Sequence, residues 1–371
     1  MPQDVPELPD IHTLQQLRAK LQDAIAIEFA TIPPYLTGWW TIPKNEQSAY
    51  VCTSIQKIAI AEMRHLAIVA NLLIAVGGQP DVRAAAPVYP CRIPNRDDPK
   101  KASDKLVRLL PFGEDFIRLG LFIEQPDPLP CEDIPLIEGE ISVAVGLVDE
   151  VGEGHPMLAA GYPSLGRFYE ALAQGLQWLV VNYGADYVFP NGGSRERQYI
   201  HFGGQEDISI TDPKKAANLL EDIITEGEGS SWTIWDENGD LSHYFSFAEM
   251  WLKARYEYGD LPCLPSGDPV DWPSDVADIP ADPKMEQYRG DRTAWSLAHT
   301  FNRLYGRMVD NLHIGFSGHP AQVDAAIGLM NQLEESARRV LDHTLTAGPG
   351  EGRQATPTFE LPSGYPPLPG E

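Results

Sequence analysis

Glu62 and His65 stand three residues apart in the tetrapeptide EMRH, inside an otherwise apolar run. On a helix that spacing aims both side chains to one side. A carboxylate and an imidazole pushed together into a core cost several kcal/mol or more unless something neutralises them. A divalent transition metal does so. Carboxylate-bridged di-iron and di-manganese bundles use this inventory: single glutamates from two helices and Glu-x-x-His from two others. Glu28 supplies a single glutamate, because it falls inside the apolar stripe Leu14, Leu17, Leu21, Ala24, Ile25, Ile32. Without a metal, Glu62 and His65 would have to satisfy each other and a neighbouring arginine.

Helices must hold these residues, and helical periodicity dominates the chain. The first stripe should stop or kink at Pro33-Pro34. The second runs Ile55, Ile58, Ala59, Glu62, His65, Leu66, Val69, Leu72, Leu73, Val76 and closes on Gly77-Gly78. Shorter helices are expected over Glu114 to Glu124, along Leu165, Tyr169, Leu172, Leu176, Leu179, Tyr183, and from Asp212-Pro213 along Ala217, Leu220, Ile224 and Glu228. Trp232, Ile234 and Asn238-Gly239 suggest a short hairpin that hands over to a helix near His243. Leu297 to Leu312 and Val323 to Leu341 form a further, antiparallel pair. Tyr35, Trp39 and Trp40 read as core more readily than as a substrate funnel.

EFATIPPYLTGWW (28–40), IAIAEMRHLAIVANLLIAVGG (58–78), SLGRFYEAL (164–172), EGEG with the later SHY, and the C-terminal AIGLMNQL and TPTFELP resemble the ferritin-like family related to the violacein-pathway enzyme VioB, an iminophenyl-pyruvate dimer synthase. That enzyme is much longer, so its activity is not carried over. The resemblance implies metal ligation by Glu28, Glu62 and His65, with a further helix contributing around Glu228 and His243. No second contiguous Glu-x-x-His exists: Glu226 is followed by Gly229 and Glu228 by Ser231. Glu228 is preferred over Glu226 because it continues the Ala217, Leu220, Ile224 line. A tight turn at Asn238-Gly239 would bring His243 back beside the end of that helix, with Ser242 as its N-cap. For the remaining carboxylate the resemblance points to Glu170, whereas Glu124 aligns with Ile117 and Leu121; both stay open.

The expected architecture is mainly α: a ferritin-like four-helix bundle with long loops over 1–258, a C-terminal helical hairpin over 284–346 packed on it, and an extended tail over 347–371. A formal net charge of −25 repels phosphate backbones and disfavours nucleic acid. No leader is recognisable at the start of the chain, and the apolar run Leu66 to Gly78 is too short to span a bilayer, so a cytoplasmic, soluble protein without a membrane partner is expected. Cys52, Cys91, Cys131 and Cys263 are scattered and read as reduced structural thiols. The function these features favour is a non-haem di-metal oxidoreductase with two iron ions, or iron with manganese, that activates O2 to oxidise a small organic substrate in secondary metabolism. The alternatives are an iron-oxidising or metal-binding protein without organic substrate, and a metal-free helical interaction protein. Oligomer formation stays open.

Overall fold

The computed structural model describes residues 9–93, 106–130, 162, 164–204, 206–227, 234–236 and 238–364. Helix α1 (Leu14–Thr41) starts in a capping box between Thr13 and Gln16 and continues past Pro33 and Pro34. The expected stop does not occur. Pro34 lacks the N–H that would pair with the Ala30 carbonyl, and the Tyr89 hydroxyl donates to that oxygen instead, at 2.8 Å. Helix α2 (Ala49–Ala75) ends where Gly77 turns left-handed, φ 74°, and the Gly78 N–H reaches the Leu73 carbonyl at 2.8 Å. Near the start of α1, the Arg18 guanidinium donates to the Val76 carbonyl at the end of α2, at 2.6 and 2.9 Å, so the two helices lie antiparallel. Their contact is the most extensive between helices. By length and composition α2 is apolar enough to cross a membrane, but 78% of its most apolar window is buried inside the protein.

Helix α3 (Glu114–Ile123) follows, then α4 (Leu165–Tyr183), capped by Ser164, and a single turn, α5 (Ala185–Val188). A short antiparallel hairpin, β1 (His201–Phe202) with β2 (Glu206–Asp207), precedes α6 (Pro213–Glu226), which Asp212 caps. The buried stripe of α6 is Ala216, Leu219, Leu220, Ile223, and Ala217 is exposed. The inward face of α6 therefore differs by one residue from the Ala217 line, and Glu226-Gly227 stand at the described end of the helix. The Asn238-Gly239 turn forms: the Asp236 N–H bonds the Asp240 carbonyl at 2.8 Å, Trp235 bridges Leu241, and Gly239 has φ 82°. Trp232 lies outside the described residues. Helix α7 (His243–Leu252) starts directly after it, packed on α3, while α4 packs on α6.

Beyond a Pro-rich acidic segment, α8 (Arg292–Phe316) packs against α9 (Ala321–Gly328) and α10 (Met330–Leu341), and contacts with α1 and α2 join them to the core. The single helix expected over Val323 to Leu341 is broken at Leu329, after Gly328, whose backbone freedom weakens helix. Trp40 stacks on Phe359 and meets Phe301 edge-on, so it is core, as expected. Cys52 and Cys91 are free, but Cys263 is disulfide-bonded, which corrects the expectation of reduced thiols throughout. Cys131 lies outside the described residues.

Candidate metal centre

Five buried side chains converge where α1, α2, the end of α3 and the start of α7 meet: Glu28, Glu62, His65, Glu124 and His243. The α1 and α2 stripes place Glu28, Glu62 and His65. Glu124 is the C-cap of α3, and His243 is the first residue of α7. They form two triads, Glu28/Glu62/His65 and Glu62/Glu124/His243, each with donor atoms within 4.8 Å of one another. Glu62 belongs to both.

Each carboxylate divides its two oxygens between a hydroxyl and the centre. The Tyr169 hydroxyl donates to Glu28 Oε1, Thr31 to Glu62 Oε2 at 2.7 Å, and Tyr35 to Glu124 Oε1. The other oxygens face imidazole nitrogens. His65 Nδ1 lies 3.6 Å from Glu28 Oε2 and 3.8 Å from Glu62 Oε1. His243 Nδ1 lies 2.9 Å from Glu62 Oε1 and 3.6 Å from Glu124 Oε2. Burial pushes the Tyr35 and Tyr169 phenols far above their usual pKa, and the neighbouring carboxylates add to it, so both act as hydrogen-bond donors.

Three of the four carboxylate–imidazole separations are too long for direct pairing, and the fourth, His243 Nδ1 to Glu62 Oε1 at 2.9 Å, is short enough for it. Separations of 3.6 to 3.8 Å exceed hydrogen-bond length. Two donors each about 2.1 Å from one ion stand roughly 3.0–3.4 Å apart at octahedral or tetrahedral angles. His243 Nδ1 is buried and, among the described residues, makes no hydrogen bond of acceptable geometry although Glu62 Oε1 lies 2.9 Å away, an unsatisfied nitrogen of the kind a metal takes. In the metal-free chain the imidazoles hold protons instead. Burial opposes this, but the Glu226, Glu28 and Glu62 carboxylates raise the His65 pKa to about 10. Burial is likewise outweighed at His243, which Glu124 and Glu62 raise to about 9. Carboxylate and imidazole donors suit iron, manganese or zinc.

Behind the centre, Glu226 meets His65 Nε2 at 3.0 Å, which leaves Nδ1 to face inward. Burial would raise the Glu226 pKa, but His65 and then Arg64 hold it below its usual value. The Arg64 guanidinium in turn grips Glu206 of the β-hairpin through paired bonds of 2.8 and 2.9 Å to Nε, and reaches Asp222 at 3.2 Å. Of the two candidates for the remaining carboxylate, the structure brings Glu124 to the cluster and not Glu170. The Glu170 side chain is 43% exposed and pairs with Arg167 at 2.8 Å on the surface of α4. Glu228 lies outside the described residues. His243 is delivered as the turn required: the Tyr244 N–H bonds the Gly227 carbonyl at 3.3 Å, so α7 starts beside the end of α6. Ser242, however, makes no side-chain cap.

The sequence reading missed the hydroxyl donors and the bracing role of Glu226. The signals were present: Thr31 and Tyr35 follow Glu28 at three and seven residues on the same helical face, and Tyr169 lies in the buried α4 stripe, where its hydroxyl must find a partner. A small cavity opens on the centre. Glu28, Glu62, His65 and Glu124 form its floor, and Leu165, Gly166, Ile223, Ile224 and Gly227, from the start of α4 and the end of α6, form its rim. The described residues of 184–211 contribute nothing to this lining; the segment packs on α2, where the Asn71 side chain bonds the backbone of Tyr199 and Ile208.

No curated protein sequence matches this chain. The crystal structure of a ferritin-like protein from Caulobacter vibrioides is similar to it with a TM-score of 0.60 and 22% identity, over 94% of this chain and 100% of that one. This likeness concerns the fold. A family profile described as ferritin-like matches residues 21–252, a span that runs from within α1 to the last residue of α7 and holds every member of the cluster. On that match, which covers more than half of its length, the chain belongs to the ferritin-like family.

Proposed function

We propose that the chain is a non-haem di-metal oxidoreductase, loaded with two iron ions, that activates O2 to oxidise a small organic molecule. The observation that carries this reading is the pair of buried triads sharing Glu62. Glu28 and His65 would hold one ion, Glu124 and His243 the other, with Glu62 between them. Two bound ferrous ions would supply electrons for the reduction of O2.

The chain's own groups do the rest. The Tyr169, Thr31 and Tyr35 hydroxyls each occupy one carboxylate oxygen, so each carboxylate presents the other oxygen inward. Glu226 fixes the face that His65 turns to the centre. Leu165, Ile223 and Ile224 make the rim apolar, which limits water at the centre. The resemblance to the VioB-related ferritin-like family supports a reaction of secondary metabolism on an organic substrate.

The deciding experiment is anaerobic loading with ferrous iron, followed by metal analysis and exposure to O2. About two irons per chain are expected, as in carboxylate-bridged bundles, with O2 uptake that continues when reductant and an organic substrate are supplied. A chain that stays metal-free at equal stability overturns the reading in favour of the interaction protein. Uptake that ends when the bound iron is oxidised, whatever organic compound is added, supports the iron-oxidising alternative.

A further inference from the structure

The cavity over the centre owes part of its volume to Gly227. Several glycines here are demanded by packing or by backbone: a Cβ on Gly120 would strike the Phe247 ring at 2.4 Å, and one on Gly193 would strike the Ile210 carbonyl at 2.3 Å. Gly227 differs. Its φ of −73° lies on the side ordinary residues favour, so no left-handed conformation requires glycine there. Among the described residues a Cβ would meet the Ile223 carbonyl at 3.1 Å, a close contact that needs a few tenths of an ångström of adjustment, and Glu124 Oε2 at 3.7 Å, ordinary van der Waals distance. It would point over the inward oxygen of Glu124, beside the cavity that Gly227 lines.

We infer that Gly227 determines access to the Glu124 half of the centre: the space left by its missing side chain is where a small external ligand reaches the metal that Glu124 would hold. This rests on the di-metal reading above. The cavity is small, with room for a ligand little larger than one water molecule. Dioxygen is of that class, as are linear triatomic anions. An organic substrate would then approach at the rim, presenting an uncharged, apolar end to Leu165, Ile223 and Ile224. Any side chain at 227 would shrink this space while leaving the five donor residues in place.

Azide serves as the probe, because it is linear, triatomic and coloured on ferric iron. Iron-loaded, oxidised wild type, Gly227→Ala and Gly227→Val are titrated with azide, and iron is counted in the same samples. Gly328→Ala, at the end of α9 with no atom of the described residues within 4 Å of its would-be Cβ beyond its own helix backbone and chain neighbours, is the control. All four chains should hold equal iron and keep their helix content. Azide should bind Gly227→Val more weakly than wild type by about tenfold or more, Gly227→Ala by less, and Gly328→Ala with no change. Gly227→Val that keeps its iron and binds azide as wild type does overturns the inference. So does loss of iron in step with azide, which would make the position structural. A wild type that takes up no iron overturns the di-metal reading and this inference together; the earlier outcomes overturn the inference alone.

Discussion

The two halves of the centre are built from the same donors by different means. Glu28 and His65 project from the interior of two long antiparallel helices, and His65 is braced from behind by Glu226 and, through it, Arg64. Glu124 and His243 sit at helix ends, the C-cap of α3 and the first residue of α7. In the first half the position of a donor follows from helical geometry. In the second it follows from where the chain turns. The halves meet in one residue, Glu62, whose Oε1 lies 2.9 Å from His243 Nδ1 and 3.8 Å from His65 Nδ1.

Removing that shared residue should give the largest effect. Glu62→Ala is expected to abolish iron binding in both halves while circular dichroism stays near wild type, because alanine favours helix more than glutamate. Full iron occupancy in this variant would show that the halves do not depend on a common ligand. Next come His65→Ala and His243→Ala, each expected to drop iron from about two per chain to about one. The comparison breaks if either variant empties both halves. A finer contrast tests the brace: Glu226→Leu should weaken iron binding by about 10- to 100-fold in the first half alone, and Glu226→Gln, which keeps an acceptor for Nε2–H, should recover most of it. Equal weakening of both halves, read from a single-phase titration, would count against a local brace. The smallest effect is expected at Glu170, where Ala should leave iron content unchanged and shift stability within about 0.5 kcal/mol in a denaturant titration.

The same contrast explains what could be read from the sequence. Glu28, Glu62 and His65 were legible because long stripes on α1 and α2 fix their direction, and a buried acid inside such a stripe needs a reason. Those helices read as a bundle, and the resemblance of their sequences to the ferritin-like family named its fold. Glu124 could not be told from Glu170, because a residue at a helix end gains no support from periodicity on its far side. The face of α6 was misread by one residue: Ala217 and Ala216 are equally apolar, and only packing against α4 and α2 chooses between them. The course of α1 beyond Pro33 was hidden too. Its continuity depends on Tyr89, which comes from a loop that no local pattern connects to Ala30.

The two ways of building a half-centre also carry a kinetic consequence. Glu28 and His65 meet by closing one helical hairpin, whereas Glu124 and His243 must close a loop about three times longer, which adds about 1 kcal/mol of chain entropy. Contacts close in sequence form first in most small folds. The α1–α2 pair should therefore be standing before α7 docks, giving the chain an early nucleus that already holds three of its five donors. Pulsed hydrogen exchange during refolding would register this as protection of α1 and α2 amides ahead of those in α3 and α7. Simultaneous protection of all four helices would mean that the centre, with its longest loop, closes in one step.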